Sequence, residues 1–237
     1  LIEAGKAGFD VDPSLLETML NYINHRLGVK NTVTYYYNGN QQKKIAPREV
    51  AYSLYVLALA GKANIATMNY YKARPEVLSL DSKYMLAASY ALAGDKNRFN
   101  EILPGAFAGE ESVAVTGGSF YSPLRDEAIA LNVLLEADPK NQQVPQMARN
   151  LAQRFKKYRW FSTQEAAFGL LALGKMASAQ AGSNAVATIS SDGKTVGKMD
   201  GKSISLSTAN LASANVQIKA SGGPVYYWWE AEGISAS

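Results

Sequence analysis

The sequence predicts a mainly α-helical fold with a β-structured C-terminal part, namely an incomplete α/α toroid of helical hairpins followed by an antiparallel half-sandwich. Segments that are apolar on nearly every side end at Gly61, Gly94, near Asp138 and at Gly174, at intervals of about 33–44 residues. A helix with a single apolar stripe lies between successive segments, and after residue 184 the pattern changes to alternation. Uniformly apolar inner helices favour a closed toroid, because the helices on the concave face of an open solenoid keep one solvent-exposed, polar side.

The composition fits a packed protein and excludes several classes of function. Of 237 residues, 47% are hydrophobic and 19% are charged, which excludes a disordered chain. The formal charge of +4 is too small for a nucleic-acid binder. No stretch approaches the length of a membrane span, so we expect no membrane contact. The absence of cysteine excludes disulfides and a thiol nucleophile within these residues.

The first helices are indicated by their end signals. Residues 1–8 have the pattern of a helix tail closing on glycine, so we expect the chain to be a fragment of a longer polypeptide. Asp12 as N-cap and Pro13 at the first helical position predict a helix over residues 13–27. The expected core side of this helix consists of Leu15, Leu16, Met19, Tyr22, Ile23 and Leu27.

Residues 31–46 are expected to form an extended or hairpin-like excursion around an Asn38-Gly39 turn. Three consecutive tyrosines, residues 35–37, precede that turn. They are a sugar-stacking platform, a contact surface or the ordinary packing of a loop against the helices, and packing is the favoured interpretation.

The middle of the chain alternates between inner and outer helices. Inner helices are predicted over residues 51–60, 82–93 and 123–136, and outer helices over residues 65–74, 97–103 and 144–158. A Gly-rich surface loop is expected over residues 104–122. The basic run near residue 157 is interpreted as a solvated helix end, and it consists of Arg154, Lys156, Lys157 and Arg159.

The last inner helix, residues 160–177, is the segment that joins the two unlike parts. Ser162 and Glu165 have the spacing of a capping box and predict its start. Since nearly every position up to Leu173 is apolar, we expect the helix to be buried on all sides and the helical part to end at Gly174.

The C-terminal part is predicted to be β-structured. Strands are expected over residues 185–190 and 194–199 around an Asp192-Gly193 turn, and over residues 203–206 after a second Asp-Gly turn. Further strands are expected over residues 216–220 and 225–230. Because five short strands with an open end are too few for a sandwich, we expect other strands of the parent polypeptide to complete this half-domain.

The sequence predicts no catalytic, cofactor-binding or metal-binding residue and no cofactor. The single histidine, His25, is expected on the solvent side of its helix, which argues against a Ser-His-Asp triad. The acidic pairs Glu110-Glu111 and Asp126-Glu127 have adjacent side chains that diverge, so we interpret both pairs as structural. Residues that bind a partner are not indicated by any motif.

Several stretches resemble the alpha-2-macroglobulin family. WFSTQEAAFGLLALGKMA, residues 160–177, is similar to the ending Ser-Thr-Gln-(Asp/Glu)-Thr-x-x-Ala-Leu-x-Ala-Leu-x-Lys of the family's thioester domain. In register with it, residues 83–103 and 125–155 resemble inner–outer helix pairs of that domain. Residues 186–211 and 224–229 resemble the β segment that follows. The resemblance covers residues 47–230, and the lack of cysteine suits the bacterial members.

The resemblance implies an architecture. Residues 1–181 would be the later part of a terpenoid-cyclase-like α/α toroid, the thioester-type domain, truncated at its N-terminus. Residues 182–237 would be the second half of a CUB-like β domain. The family's Cys-x-Glu-Gln thioester motif would lie upstream of Leu1. Residues 31–46 contain no counterpart of the catalytic histidine of some members, so hydroxyl-directed thioester transfer is not expected.

The resemblance also implies a function. The parent would be a non-enzymatic, broad-spectrum endopeptidase inhibitor that traps proteases after they cut a bait segment elsewhere in the polypeptide. Its partners would be proteases and not nucleic acid. It would be located in the periplasm or cell envelope, where an anchored lipoprotein is one form that the parent can take.

Two alternatives remain open from the sequence. One is a carboxylate-dependent α/α-toroid enzyme acting on carbohydrate or terpenoid, which would need two carboxylates converging in a cleft about 5–10 Å apart. The other is a helical-repeat interaction scaffold, which would form an open superhelix.

Overall fold

The computed structural model describes residues 1–115, 120–157, 160–180, 184–207 and 215–223, together with Val225, Tyr227 and Trp229. Over these residues the chain is mainly helical and has antiparallel strands in its C-terminal part, as predicted. It divides into two compact units, Leu1–Leu173 and Gly174–Ser237. The domain boundary expected after residue 181 falls on residues 181–183, which lie outside the described part.

The first unit consists of helices and one β-hairpin. The helices are α1 Ile2–Lys6, α2 Pro13–Arg26, α3 Arg48–Leu59, α4 Ile65–Lys72, α5 Leu80–Leu92, α6 Lys96–Ile102, α7 Pro123–Ala137 and α8 Val144–Lys157, and the long helix α9 Thr163–Gln180 begins here. The hairpin pairs β1 Val33–Tyr37 with β2 Gln41–Ile45 around Asn38 and Gly39, which both have positive φ, as the predicted turn requires.

The helices alternate between an inner and an outer position, as predicted. α5 packs between α3 and α7, whereas α4 and α6 contact α5 and α8 contacts α7. Nearly all of α7 is buried. The core formed by α2 to α5 includes Leu54, Leu57, Met68, Leu86 and Tyr90. Burial of this apolar surface is the main force that holds the helices together.

Local end signals account for where the helices start and stop. The Asp12 carboxylate accepts from the backbone N–H of Ser14 at 2.8 Å and so caps α2, as predicted. Just after the ends of α3 and α5, Gly61 and Gly94 have φ of +72° and +86°. Only glycine takes this left-handed conformation without strain, so the two glycines terminate their helices.

The core side of α2 differs from the prediction. Its buried or half-buried side consists of Leu16, Leu20, Ile23 and Leu27, whereas Leu15, Met19 and Tyr22 are 49%, 51% and 64% exposed. The predicted core position of the last three residues is therefore wrong. The apolar stripe of this helix is wider than the part that is buried, and the sequence does not indicate which edge of the stripe meets the neighbouring helix α3.

Helix α9 starts as predicted but is neither buried on all sides nor terminated at Gly174. Glu165 accepts from the N–H of Ser162 at 2.7 Å, and the Ser162 hydroxyl accepts from the N–H of Glu165 at 3.2 Å, which is the predicted capping box. Leu170 is 71% exposed and Ala167 is also exposed. The helix continues to Gln180, because a glycine inside a helix costs only about 1 kcal/mol.

The second unit contains a three-stranded antiparallel sheet. Its strands are β3 Val186–Ser191, β4 Lys194–Asp200 and β5 Val216–Ser221, in the order β4-β3-β5. Asp192 and Gly193 form the predicted tight turn, with φ of +46° and +76°. Residues 203–206 form no strand, contrary to prediction, and β5 occupies the other edge of β3. The strand predicted over residues 225–230 falls largely outside the described residues.

Candidate functional site

Four charged residues meet inside the first unit, and we call them the Arg48 cluster: Arg48, Asp81, Arg125 and Asp126. None of them is more than 7% exposed. Arg48 opens α3, Asp81 lies in the first turn of α5, and Arg125 and Asp126 lie at the start of α7. Two guanidinium groups thus face two carboxyl groups at the beginnings of three inner helices. Charges this deeply buried are tolerated only when they are paired.

Arg48 is the centre of the cluster. Its Nη1 and Nη2 atoms donate to Oδ1 and Oδ2 of Asp126 at 2.7 and 2.5 Å, a bidentate pair. Its Nε atom lies 3.0 Å from Oδ2 of Asp81, in an ion pair that lacks hydrogen-bond alignment. The other oxygen of Asp81 accepts from the Ser79 hydroxyl at 2.6 Å. Both carboxylates therefore share one guanidinium.

Arg125 extends the cluster to the start of α9. Its Nη2 atom lies 3.2 Å from Oδ1 of Asp126, and its Nη1 atom donates to Oε1 of Gln164 at 2.7 Å. Close by, the Ser122 hydroxyl donates to Glu165, the residue that completes the capping box of α9. The cluster and the N-terminus of α9 are thus joined by polar contacts.

Two aromatic rings and one hydroxyl also contact the cluster. The guanidinium carbon of Arg48 lies 4.3 Å from the centre of the Tyr121 ring and 5.6 Å from that of Tyr35. These are distances at which a cation is attracted to an aromatic face. The Ser112 hydroxyl donates to Oδ2 of Asp126 at 2.6 Å.

The environment of Asp126 changes its acidity. Burial raises the pKa of Asp126 to about 6, and the neighbouring carboxylate of Asp81 adds to this rise, whereas Arg48, Arg125 and the Ser112 hydroxyl oppose it. Asp126 is therefore ionised at neutral pH but gains a proton within the range that cells and compartments reach.

A cavity of about 370 Å³ lies against the cluster. Its inner wall includes Asp81 and Asp126, and its outer walls come from residues 107–112, from Tyr35 and Asn38 of the hairpin, and from Arg154 of α8. A cavity of this size can admit a small polar group.

The carboxylates at the outer walls are also paired. Glu110 bonds Lys43 at 2.6 Å, and its other oxygen accepts from the N–H of Leu80 at 2.8 Å, which caps α5 from a distant part of the chain. Glu111 accepts from Arg154 at 2.8 Å. The Nε atom of Arg154 lies 3.0 Å from the carboxylate of Glu127, which is only 2% exposed.

These pairings limit what the cavity can do chemically. Asp81 and Asp126 converge, as a carboxylate-dependent enzyme would require, but a guanidinium neutralises both of them. A glycosidase needs one protonated acid and one free carboxylate. Within the described residues, each acidic side chain that lines the cavity has a cationic or N–H partner. The arrangement fits a structural ion network better than a catalytic pair.

The acidic pairs singled out in the sequence diverge as predicted. Glu110 and Glu111 reach Lys43 and Arg154. Asp126 and Glu127 reach Arg48 and Arg154, but both are buried, which sequence reasoning missed. Lys156 and Lys157 are exposed, as predicted for the basic run, and Arg159 lies outside the described residues. Arg154 is only half-buried but is not simply solvated, because it pairs with both Glu111 and Glu127.

Two further predictions about single residues are confirmed. His25 is exposed. Tyr35 is 1% exposed and stacks on Tyr37 at 5.5 Å, so these two rings pack, whereas Tyr36 is 49% exposed.

One feature of the amino-acid sequence could have indicated the cluster. Arg48, Asp81 and Asp126 are charged residues within the first turns of otherwise apolar helices. Within the described residues, no group of three His, Cys, Asp or Glu side chains is placed to hold a metal ion. None of the described helices has the length and apolar character needed to cross a membrane.

The described structure defines a class of protein: a series of inner and outer helices followed by an antiparallel β segment. Solved bacterial alpha-2-macroglobulins have this fold. Salmonella alpha-2-macroglobulin reacted with methylamine matches 92% of this chain with a TM-score of 0.58 and 20% identity, and this chain spans 13% of that one. The resemblance read from the sequence is therefore confirmed as a likeness of fold.

Two structures from Escherichia coli agree with this. Native alpha-2-macroglobulin from domain MG7 to the C-terminus matches 93% of this chain, with a TM-score of 0.59 and 18% identity, and 32% of it is covered. The same organism's alpha-2-macroglobulin activated by porcine elastase matches 93%, with a TM-score of 0.56 and 18% identity, and 20% of it is covered. No family model and no curated protein matches the sequence.

Proposed function

We propose that this chain is part of a bacterial alpha-2-macroglobulin-like endopeptidase inhibitor, which traps proteases after they cleave a bait segment elsewhere in the parent polypeptide. The chain itself is non-enzymatic in this proposal. The observation that carries it is the fold likeness, which runs over 92% of the chain and includes both the helices and the β segment.

The matched proteins support a protease-linked role. One Escherichia coli structure is described as activated by porcine elastase and another as trypsin activated, and the Salmonella protein is described as reacted with methylamine. Methylamine is a small nucleophile that opens thioesters, so its reaction fits the thioester chemistry that the sequence resemblance implies. These properties belong to the matched proteins, and we extend them to the present chain as a proposal.

The proposal assigns a role to each part of the chain. Residues 1–181 act as the later part of the thioester-type toroid, and residues 182–237 as the second half of the CUB-like domain. The toroid is displaced when the bait is cut. The parent acts in the periplasm or cell envelope, where it meets proteases.

Trapping is tested on the parent polypeptide with a limiting amount of trypsin. Residual activity is measured on a large protein substrate and on a small peptide. We expect activity on the large substrate to fall and activity on the peptide to remain, because a caged protease stays accessible to small molecules only. Equal activity on both substrates contradicts trapping.

A matched control separates trapping from simple adhesion. Trypsin whose active-site serine has been blocked covalently cannot cut a bait segment, so it should elute free of the parent in size-exclusion chromatography. Methylamine should add to the parent once and release one thiol if a thioester is present. Since this chain contains no cysteine, that thiol must come from another part of the parent.

The enzyme alternative keeps one observation in its favour, namely that Asp81 and Asp126 both line the cavity. Under this alternative the parent would turn over a glycan or terpenoid, and Asp81→Asn would abolish turnover. A parent that turns over neither kind of substrate, or whose turnover is unchanged in Asp81→Asn, contradicts the alternative.

A further inference from the structure

One wall of the cavity is a segment without regular structure, residues 104–115, which we call the strap. Six consecutive residues of it, 107–112, line the cavity. Asn38 of the hairpin holds it by three bonds: its backbone N–H donates to the carbonyl of Glu111 at 2.8 Å, its side chain accepts from the N–H of Glu111 at 2.9 Å, and its amide donates to the carbonyl of Gly109 at 3.1 Å. The strap therefore adds to the hairpin edge like a short extra strand.

The other contacts of the strap are of unequal strength. The Glu111–Arg154 pair is 57% and 35% exposed at its two side chains, so water and salt screen it. The Glu110–Lys43 pair is 15% and 23% exposed. The Ser112–Asp126 hydrogen bond differs from these, because Ser112 is 5% exposed and its partner belongs to the Arg48 cluster. Together with the bond from the N–H of Leu80 to Glu110, it ties the strap to the inner helices.

The strap also meets the cluster at its far end. The N–H of Val115 donates to the carbonyl of Tyr121 at 2.9 Å, and the ring of Tyr121 covers Arg48. Displacing the strap would remove Ser112 from Asp126 and would open the cavity wall beside two buried carboxylates. Water would then reach Asp81 and Asp126 more freely, which are only 1% and 4% exposed when the strap is in place.

We propose that the strap is a movable wall of the cavity, latched by the Ser112–Asp126 hydrogen bond, and that proton uptake by Asp126 holds the wall shut while proton loss loosens it. This inference rests on the geometry of the strap and the cluster and is independent of the proposed trapping function.

The direction of this pH dependence follows from how tightly Asp126 binds its proton when the wall is closed and when it is open. The ionised carboxylate accepts a stronger bond from Ser112, but the larger effect is the cost of keeping its charge away from water. Opening relieves that cost, so the closed form binds the proton more tightly than the open form. Linkage then requires the proton to favour the closed wall. Five groups act on Asp126 from the elements around it, and they are Arg48, Asp81, Arg125, Ser112 and Tyr35.

The inference is tested by hydrogen exchange on the whole chain. The amides of Glu111 and Val113 report the wall, because they bond the Asn38 side chain and the carbonyl of Tyr36. After correction for intrinsic exchange rates, we expect the wall to open about tenfold more often at pH 7.5 than at pH 5. Amides inside α5 should show no such dependence. Equal protection of the wall amides at both pH values would overturn the inference.

Variants separate the latch from general loosening. Asp126→Asn removes the titrating group, so its wall amides should lose the pH dependence, whereas the control Asp95→Asn, at the distant N-cap of α6, should keep it. Ser112→Ala should reduce protection of the wall amides at both pH values and leave α5 protected. Full protection in Ser112→Ala, or an unchanged pH dependence in Asp126→Asn, contradicts the proposal. If Asp126→Asn does not fold, the Ser112→Ala result decides alone.

Discussion

Arg48 and Asp126 lie 78 positions apart in the chain, and two hydrogen bonds of 2.7 and 2.5 Å join them. The first residue of α3 is thereby connected to the start of α7. Helix α5 packs between these two helices and adds Asp81 to the same guanidinium. One side chain therefore fixes the starts of three inner helices relative to one another, beneath the cavity.

Replacing Arg48 by Met should destabilise the fold strongly. The change leaves Asp81 and Asp126 buried with Arg125 as the one guanidinium remaining in the Arg48 cluster, and breaking a buried ion pair by removing one partner costs about 3–5 kcal/mol. The free energy of unfolding is measured by urea denaturation monitored by circular dichroism. The free energy of unfolding of Arg48→Lys should lie between those of Arg48→Met and wild type, because an ammonium keeps the charge but not the bidentate geometry.

The matched control for this variant is Arg98→Met. Arg98 pairs with Asp95 at 2.9 Å, but its side chain is 43% exposed. Exposed pairs contribute about 0–1 kcal/mol, so this variant should stay close to wild type. A similar loss in Arg48→Met and Arg98→Met would show that the cluster does not hold the helices together.

The stability of the chain should depend on pH through Asp126. Its pKa is raised from 3.8 to about 6 in the fold, chiefly by burial, so the folded state binds this proton more readily than the unfolded state. The contribution of Asp126 to the free energy of unfolding is then largest below about pH 4 and decreases as the pH rises through 6.

The measurement compares urea denaturation of wild type and Asp126→Asn at two pH values. Wild type should lose about 1 kcal/mol relative to the variant between pH 5 and pH 7.5. Using the difference between the two proteins cancels the titration of the other carboxylates. The raised pKa would be contradicted if the free energy of unfolding changed equally with pH in both proteins, or if wild type became more stable relative to the variant as the pH rises.

Much of the fold could be predicted because its signals are local. Asp12 and the Ser162–Glu165 pair mark helix starts within four residues of sequence, and Gly61 marks an end. Which side of α2 and of α9 is buried could not be predicted from such local signals. The apolar surface of each helix is wider than the part that is buried, and the packed neighbours decide that Leu170 stays exposed.

The candidate site was missed for a related reason. Asp126 next to a helix N-terminus looks like an ordinary dipole partner, and Arg48 after a proline looks like a surface residue. They form a site because they lie next to Asp81 in the fold, and this proximity depends on how α3, α5 and α7 pack side by side. No spacing along the chain encodes this meeting.

Removing the capping box should weaken the start of α9. In Ser162→Ala the N–H of Glu165 loses its acceptor, which costs about 0.5–2 kcal/mol at an N-cap. Urea denaturation measures the loss, and faster exchange of the first amides of α9 should accompany it. Ser178→Ala, at an exposed position of the same helix, should change stability by no more than about 0.5 kcal/mol. Equal effects of the two substitutions would contradict a role for the cap.

Gly169 and Gly174 lie in the same helix, α9, and should respond in opposite ways to Ala. A Cβ at residue 169 would collide with the ring of Phe155 in α8, whereas a Cβ at residue 174 would meet nothing within 4 Å. Ala is the better helix former by about 1 kcal/mol, so Gly174→Ala should stabilise the chain or leave it unchanged. Gly169→Ala should lose about 1–3 kcal/mol, because overpacking outweighs helix propensity.

A double-mutant cycle with Phe155→Leu identifies the cause of the loss in Gly169→Ala. If the ring is what the new methyl group meets, the cost of Gly169→Ala should shrink by at least about 1 kcal/mol when Phe155 is replaced. Thermal denaturation of the four proteins under one buffer condition gives the coupling energy. Strictly additive effects would mean that α8 and α9 do not cross at Gly169, since independent sites show no coupling.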